Sequence, residues 1–172
     1  MSGSPARVQL PIETLRQLVD QFYAEDFRQL QYLVRARPEA QQIVKSTKDR
    51  GLRIVLATNP MFPLTAIIQR LEWAGLRASD FTHVTTLENS HACKPHARYF
   101  TEVLSLIGVE PREALMIGDD WQLDIAPAMA LSLHAYWLNE RRRQQPACVP
   151  RPDALGIWHE FVDWWQAIEL LS

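Results

Sequence analysis

At 172 residues the chain is long enough for one domain with a real core and hardly long enough for two. Apolar residues at 47% and charged residues at 22% exclude a disordered chain, and a net charge of −2 excludes a polycation built for nucleic acid or an anionic membrane. No stretch approaches a transmembrane helix in length, no apolar signal core follows Met1, and two cysteines, Cys93 and Cys148, imply no disulfide framework, so a soluble cytoplasmic protein is expected.

The first third reads as helix. Ile12, Leu15, Leu18, Val19, Phe22 and Tyr23 keep the three-four spacing of an amphipathic helix, and a second apolar group follows at Phe27, Leu30, Tyr32, Leu33 and Val34. Pro38 opens another helix with Ile43 and Val44 on its buried face, and Gly51 is placed to stop it. The pattern changes at Arg53. Residues 54–57 form a short continuous apolar run of the buried parallel-strand kind. A helix is predicted over 63–75, a strand over 81–86 and a helix over 97–108. A strand over 114–117 ends at Gly118, a helix runs from Asp124 to about Leu131, and a fourth strand covers 134–138. Arg141, Arg142 and Arg143 read as a surface turn, Pro146, Pro150 and Pro152 as a loop, and 157–171 as a last amphipathic helix. In that helix Trp158, Phe161, Trp164 and Trp165 are packing residues rather than a ligand cage.

Strands alternating with helices predict an α/β fold, a parallel sheet with helices on both faces and a site at the carboxyl ends of the strands. Three of the four strands are followed closely by polar groups: Thr58 and Asn59, His91 to Lys94, and Asp119 with Asp120. These groups are expected to converge. Carboxylates at a strand end suit a hard cation such as Mg²⁺, and Gly118 lets the backbone turn there. Asp124 starts the next helix, where it can cap free N–H groups as readily as serve a metal. Lys94, held before Pro95, can neutralise phosphate charge, although a lysine before a proline is usually plain surface. Thr58 and the backbone beside it can hold a phosphoryl oxygen, although Asn59-Pro60 is also an ordinary turn signal. Cys93, with His91 and His96 as sequence neighbours, is a weak nucleophile candidate, because a catalytic pair is made in space rather than in sequence.

The order and spacing of these signals resemble the haloacid-dehalogenase (HAD) superfamily. Ile54 through Asn59 resembles its second motif, Lys94-Pro95 its third, and Leu115 through Asp124 its fourth, in the Gly-Asp-x-x-x-x-Asp form. The match runs from about residue 38 to residue 139. The resemblance implies a three-layer Rossmann-like core over 38–172, with 1–37 as the tail end of a helical cap. It implies phosphate-ester hydrolysis of a small phosphorylated substrate through an aspartyl-phosphate, with Mg²⁺ as cofactor. Thr58 and Asn59 would bind the phosphoryl group, Lys94 would steady the nucleophile and the phosphoryl charge, and Asp119, with Asp120 or Asp124, would serve the metal.

The family's first motif, Asp-x-Asp-x-Thr after an apolar strand, supplies the nucleophile. None of the nine aspartates here lies two positions from another, and Val8-Gln9-Leu10 is too short for that strand and is followed by no aspartate. In the family that strand is central, between the strands of the second and fourth motifs. Its position in the sheet is therefore expected to be empty or filled by something unusual, and an exposed sheet edge favours self-association. Two readings follow. One is an N-terminally truncated phosphatase, inactive as given. The other is a finished, non-catalytic protein that binds or regulates a partner.

Overall fold

The computed structural model describes residues 10–146 and 150–168. Cys148, the residues 1–9 and the end of the last predicted helix lie outside that range.

Helix α1 spans Ile12–Gln21 and runs on through a π-helical turn at Phe22–Asp26 into a 3₁₀ segment at Phe27–Leu33. Its apolar spacing is that of an amphipathic helix, yet none of its residues is buried, and Leu15, Leu18 and Phe22 stay between 42% and 50% exposed. The segment is anchored by Phe27, which stacks on Trp73 with ring centroids 5.3 Å apart, and by the Tyr23 carbonyl, which accepts a hydrogen bond from Gln69 Nε2 at 2.6 Å.

Helix α2, Pro38–Asp49, starts on Pro38 because the missing proline N–H is one that a first helical turn leaves unpaired anyway. It ends where Gly51 adopts φ +71°, a left-handed conformation that suits glycine. Strand β1 is Val55–Leu56, α3 is Leu64–Trp73, β2 is His83–Val84 and α4 is Ala97–Ile107. The predicted strand over 81–86 is thus regular only at its centre: Thr85 N–H still donates to the Leu56 carbonyl, but Thr86 N–H turns to Asn89 Oδ1 at 2.8 Å in the loop that follows. Strand β3 is Leu115–Gly118, α5 is Ala126–Ala130 and β4 is His134–Leu138. The Pro-rich stretch predicted as loop gives way to a further strand, β5, at Ala154–Gly156, and helix α6 is Trp158–Ala167. Proline cannot supply a ladder N–H, which biases a reader toward loop, but β5 begins past Pro152 and sits at a sheet edge where that rule is relaxed. The arginine run is a surface turn: Arg143 N–H donates to Asn139 Oδ1 at 2.8 Å, and the Arg142 guanidinium pairs with Glu160 at 3.0 Å.

All strand pairs are parallel. They form two separate ladders, β1–β2 and β3–β4–β5. Strand β4 is buried along Ala135, Tyr136, Trp137 and Leu138, as a strand covered on both faces must be. On one face Tyr136 and Leu138 pack with Ile43 of α2 and Phe161, Val162 and Trp165 of α6. On the other, Tyr99, Phe100 and Leu104 of α4 pack with Met116 and Ala128. The α6 aromatics are therefore core, as their helical spacing predicts.

Among the described residues β1 pairs only with β2, and β3 only with β4. Between the two free edges lies a cavity of about 580 Å³. Residues 54–57 line one side of it and 114–117 the other, with Tyr99, Phe100 and Val103 on one face and Ile43, Val44 and Trp165 on the opposite face. The expected position of the missing central strand is this slot.

Candidate active site

Three loops leave the carboxyl ends of β1, β2 and β3 and meet at Lys94. Its backbone N–H donates to Asn59 Oδ1 at 3.1 Å, which ties the loop after β2 to the loop after β1. Its ammonium donates to Asp124 Oδ1 at 2.6 Å, which ties it to the segment after β3. Both side chains are sealed off, at 8% and 9% exposure. A buried ammonium and a buried carboxylate each need the other, because an isolated ion in this setting is costly. An ammonium has three N–H donors, and Asp124 takes one.

Gly118 makes that pairing fit. A Cβ at this position would collide with the Cβ and the carboxylate of Asp124. The glycine is thus required for a close approach, rather than for the tight turn that sequence alone suggests, and its φ is not in the left-handed region.

The two other aspartates divide the remaining work. Asp120, not Asp124, caps the next helical segment, a π-helical turn at Trp121–Ile125 that leads into α5. Asp120 Oδ1 accepts from the backbone N–H groups of Gln122 and Leu123, both at 2.9 Å. Asp124 instead lies one turn inside, where its second oxygen accepts from Asp120 N–H at 3.2 Å. Asp119 is exposed, and its side chain enters none of the hydrogen bonds or ion pairs formed by the described residues. Its backbone is fixed, since its carbonyl accepts from Trp137 Nε1 at 3.2 Å, and Trp137 packs edge-to-face on Trp121 at 5.0 Å. No three His, Cys, Asp or Glu side chains among the described residues gather closely enough to enclose a metal ion. Asp119 is the carboxylate left uncommitted, and one or two carboxylates suit a cation that keeps most of its waters, such as Mg²⁺.

Thr58 is held on every side. Its N–H donates to Thr85 Oγ1 at 2.8 Å, and its carbonyl accepts from Thr85 Oγ1 and from the Tyr99 hydroxyl, both at 2.8 Å. Its own hydroxyl lies 3.2 Å from the Thr85 carbonyl, so binding a phosphoryl oxygen requires that hydroxyl to re-aim its proton. The backbone N–H free to cradle an anion is that of Asn59, not of Thr58. Tyr99 is buried beneath Lys94, whose ammonium lies 5.8 Å from the ring centroid. Burial pushes the Tyr99 phenol up to about 12, so it stays a hydrogen-bond donor at any ordinary pH.

Thr85, Tyr99 and Trp137 are the residues that sequence reasoning misses. Nothing local marks a threonine beside a strand or a tyrosine in a helix, and their roles exist only after folding. The sequence candidates Cys93, His91 and His96 do not form a catalytic pair: Cys93 is exposed, and the His91 ring is 2.9 Å from Glu102.

The chain is similar in sequence and in fold to known proteins. The family model for haloacid dehalogenase-like hydrolases matches residues 7–131. A phosphoserine phosphatase from Thermus thermophilus is 32% identical over 133 residues, which is 77% of this chain and 50% of that protein. A ribulose-1,5-bisphosphate 5-phosphatase from Halopiger xanaduensis is 33% identical over 97 residues, 56% of this chain and 39% of that protein. The chain therefore spans half or less of the length of these relatives. The fold is shared with a putative beta-phosphoglucomutase from Thermotoga maritima at a TM-score of 0.69, 16% identity, 95% coverage of this chain and 73% of that one. The match of sequence over most of the chain, on a fold of the same kind, shows that the chain belongs to the haloacid dehalogenase-like hydrolases.

Proposed function

We propose that the chain is the carboxyl-terminal part of a Mg²⁺-dependent phosphate-monoester hydrolase, whose nucleophilic aspartate is encoded upstream of Met1. The observation that carries this reading is the buried Lys94 ammonium, fixed between Asp124 and the Asn59 loop with donors to spare at the carboxyl edge of the strands. A cation held this firmly beside an open carboxylate suits a phosphoryl group better than it suits a neutral substrate. Two relatives named above are phosphatases of small phosphate esters, which supports the substrate class.

In this reading Lys94 neutralises phosphoryl charge and steadies the incoming carboxylate. The Thr58 hydroxyl and the Asn59 N–H hold a second phosphoryl oxygen. Asp124 orients Lys94, and Asp120 fixes the turn that presents Asp119. Mg²⁺, held by Asp119 with water and with the backbone or carboxylate of its neighbours, would offset negative charge between phosphate and nucleophile. The upstream aspartate would take the phosphoryl group as the ester P–O bond breaks and the alcohol leaves with a proton, and water would then cleave the acyl phosphate to inorganic phosphate and the free carboxylate.

The test compares the chain as given with a form extended through the upstream reading frame, one frameshift allowed. The extended form is expected to contain an apolar strand followed by Asp-x-Asp-x-Thr within about a hundred residues, room for a cap in a domain of ordinary size. It should hydrolyse an aryl phosphate in Mg²⁺, and the 172-residue chain should not. Robust turnover by the 172-residue chain alone would overturn the proposal. An unrelated gene or a promoter upstream would leave the non-catalytic binding protein in its place.

A further inference from the structure

We infer that Tyr99 is a positioning residue that sets two anion-binding groups of the candidate site at once, the Asn59 N–H through its hydroxyl and the Lys94 ammonium through its ring. The inference rests on the proposed function for the identity of the anion, a phosphoryl oxygen, and on geometry for the rest. The Thr58 carbonyl and the Asn59 N–H belong to one trans, planar peptide group, so they point in opposite directions and turn together. Fixing the carbonyl therefore aims the N–H. The carbonyl oxygen has two lone pairs, and both are taken, since the Tyr99 hydroxyl and Thr85 Oγ1 each donate to it at 2.8 Å. Both donors are sealed from water, Thr85 at 0% and Tyr99 at 2% exposure, so water cannot stand in for either. The Asn59 N–H itself has no partner among the described residues, and the Asn59 side chain is tied separately, by the Lys94 N–H at 3.1 Å.

The same tyrosine reaches Lys94 with its ring. A turn closed by the His96 N–H on the Cys93 carbonyl at 3.0 Å folds the loop after β2 back over α4, in which Tyr99 is the third residue. The ammonium then lies 5.8 Å from the ring centroid, within the range where an aromatic face attracts a cation. Asp124 fixes that ammonium at 2.6 Å, and the ring gives the flexible lysine stem a second restraint. Packing alone does not explain the hydroxyl. Phenylalanine would fill the same volume in α4, and a buried hydroxyl is costly unless it is bonded. Its bond goes to the one carbonyl whose peptide carries the free Asn59 N–H.

The experiment uses the isotope-labelled 172-residue chain and follows the Asn59 amide by NMR in three variants. Tyr99→Phe removes the hydroxyl and keeps the ring. Tyr99→Leu removes both. Leu104→Val trims the same core cluster and controls for loss of stability alone. The first measurement is made without any anion: the residual dipolar coupling of the Asn59 N–H in an aligned medium, which reads the direction of that bond. It is expected to change in both Tyr99 variants and not in the control. The second measurement titrates inorganic phosphate. The Asn59 amide of the unaltered chain should shift saturably, and the dissociation constant should rise about three- to tenfold in Tyr99→Phe, the worth of one net hydrogen bond. It should rise further in Tyr99→Leu, which also frees the ammonium, and stay unchanged in Leu104→Val. An Asn59 coupling unchanged in Tyr99→Phe, or changed as much in the control, would overturn the inference. Equal phosphate affinity in Tyr99→Phe and the unaltered chain counts equally against it. An Asn59 amide that ignores phosphate in the unaltered chain would instead sink the phosphate reading of the site, and the dipolar coupling would still decide the role of Tyr99. If Tyr99→Leu does not fold, Tyr99→Phe carries both measurements.

Discussion

Replacing Lys94 by methionine tests whether the buried pair at the heart of the site is closed to water. Methionine keeps most of the stem volume, so the change removes charge rather than packing. It leaves Asp124, 9% exposed, with its bond to Asp120 N–H but without a counter-charge. Breaking one side of a buried pair costs about 3–5 kcal/mol, against a total stability of about 5–15 kcal/mol for a domain. For a chain of this size that corresponds to a fall in melting temperature of about 6–20 °C. Urea or thermal unfolding followed by circular dichroism reads the cost directly. The double change Lys94→Met with Asp124→Leu removes both charges and should recover most of the loss, since an apolar pair of similar volume is often as stable as the ion pair. A loss below about 1 kcal/mol for Lys94→Met, the range of an exposed pair, would refute the claim that the site is sealed. The size of the expected loss also means that missing turnover in a Lys94 variant of the extended enzyme is informative only beside its unfolding curve.

Gly118→Ala places a methyl group against Asp124 and should destabilise by about 1–3 kcal/mol, measured by urea unfolding, with the Lys94 pair as the part that shifts. Tyr99→Phe removes the donor to the Thr58 carbonyl and should cost about 1–1.5 kcal/mol by the same assay, without a pH dependence, because the phenol does not ionise in the working range. Burial pushes the Asp153 carboxyl upward, but the Ala135 N–H and His134 outweigh it and hold its pKa below the usual value of 3.8. A depressed carboxylate stabilises the fold above that usual value and loses its contribution as pH falls through the lowered one. Thermal unfolding should therefore show acid destabilisation below about pH 4 that is smaller in Asp153→Asn.

The alternation of strand and helix is legible in the sequence because buried parallel strands read as apolar runs and their helices as three-four repeats. That is why residues 54–57, 114–117 and 134–138 foretell β1, β3 and β4. Strand β5 is hidden by Pro150 and Pro152, and it is fixed only by its ladder with β4, which sets Ala154, Leu155 and Gly156 against Tyr136, Trp137 and Leu138. The site is legible in outline, since Thr58, Lys94 and Asp119 each follow a strand, and parallel strands bring their carboxyl ends together. The division of labour among Asp119, Asp120 and Asp124 is not. Four residues of spacing place Asp124 one turn inside a helical segment, facing Lys94, while Asp120 takes the cap, and no propensity distinguishes two aspartates in that respect. The uncovered face of α1 is a different kind of miss: the periodicity is real, but a periodic face needs a partner to be buried.

The slot raises the question of what holds the two ladders in place without a strand between them. Four named bridges cross from the β1–β2 side or α2 to the β3–β4–β5 side. At the amino-terminal mouth the Arg53 guanidinium donates to the Ile107 and Gly108 carbonyls at the end of α4, which packs on β3. Across one helical layer Trp165 Nε1 of α6 donates to Ser46 of α2 at 3.0 Å, and Arg50 lies 4.9 Å from the same indole. At the carboxyl-terminal mouth Tyr99 reaches the Thr58 carbonyl, and Lys94 joins Asn59 to Asp124. Two of these four bridges are the bonds that shape the candidate active site. Against them stand the backbone groups of Val55, Ala57, Leu115 and Ile117, which find no strand partner, at about 1–3 kcal/mol for each group that is also kept from water. These strands are only half-buried, so water relieves part of that cost. The polar bonds around Lys94 therefore act as a clasp between the two ladders as well as shaping the candidate active site.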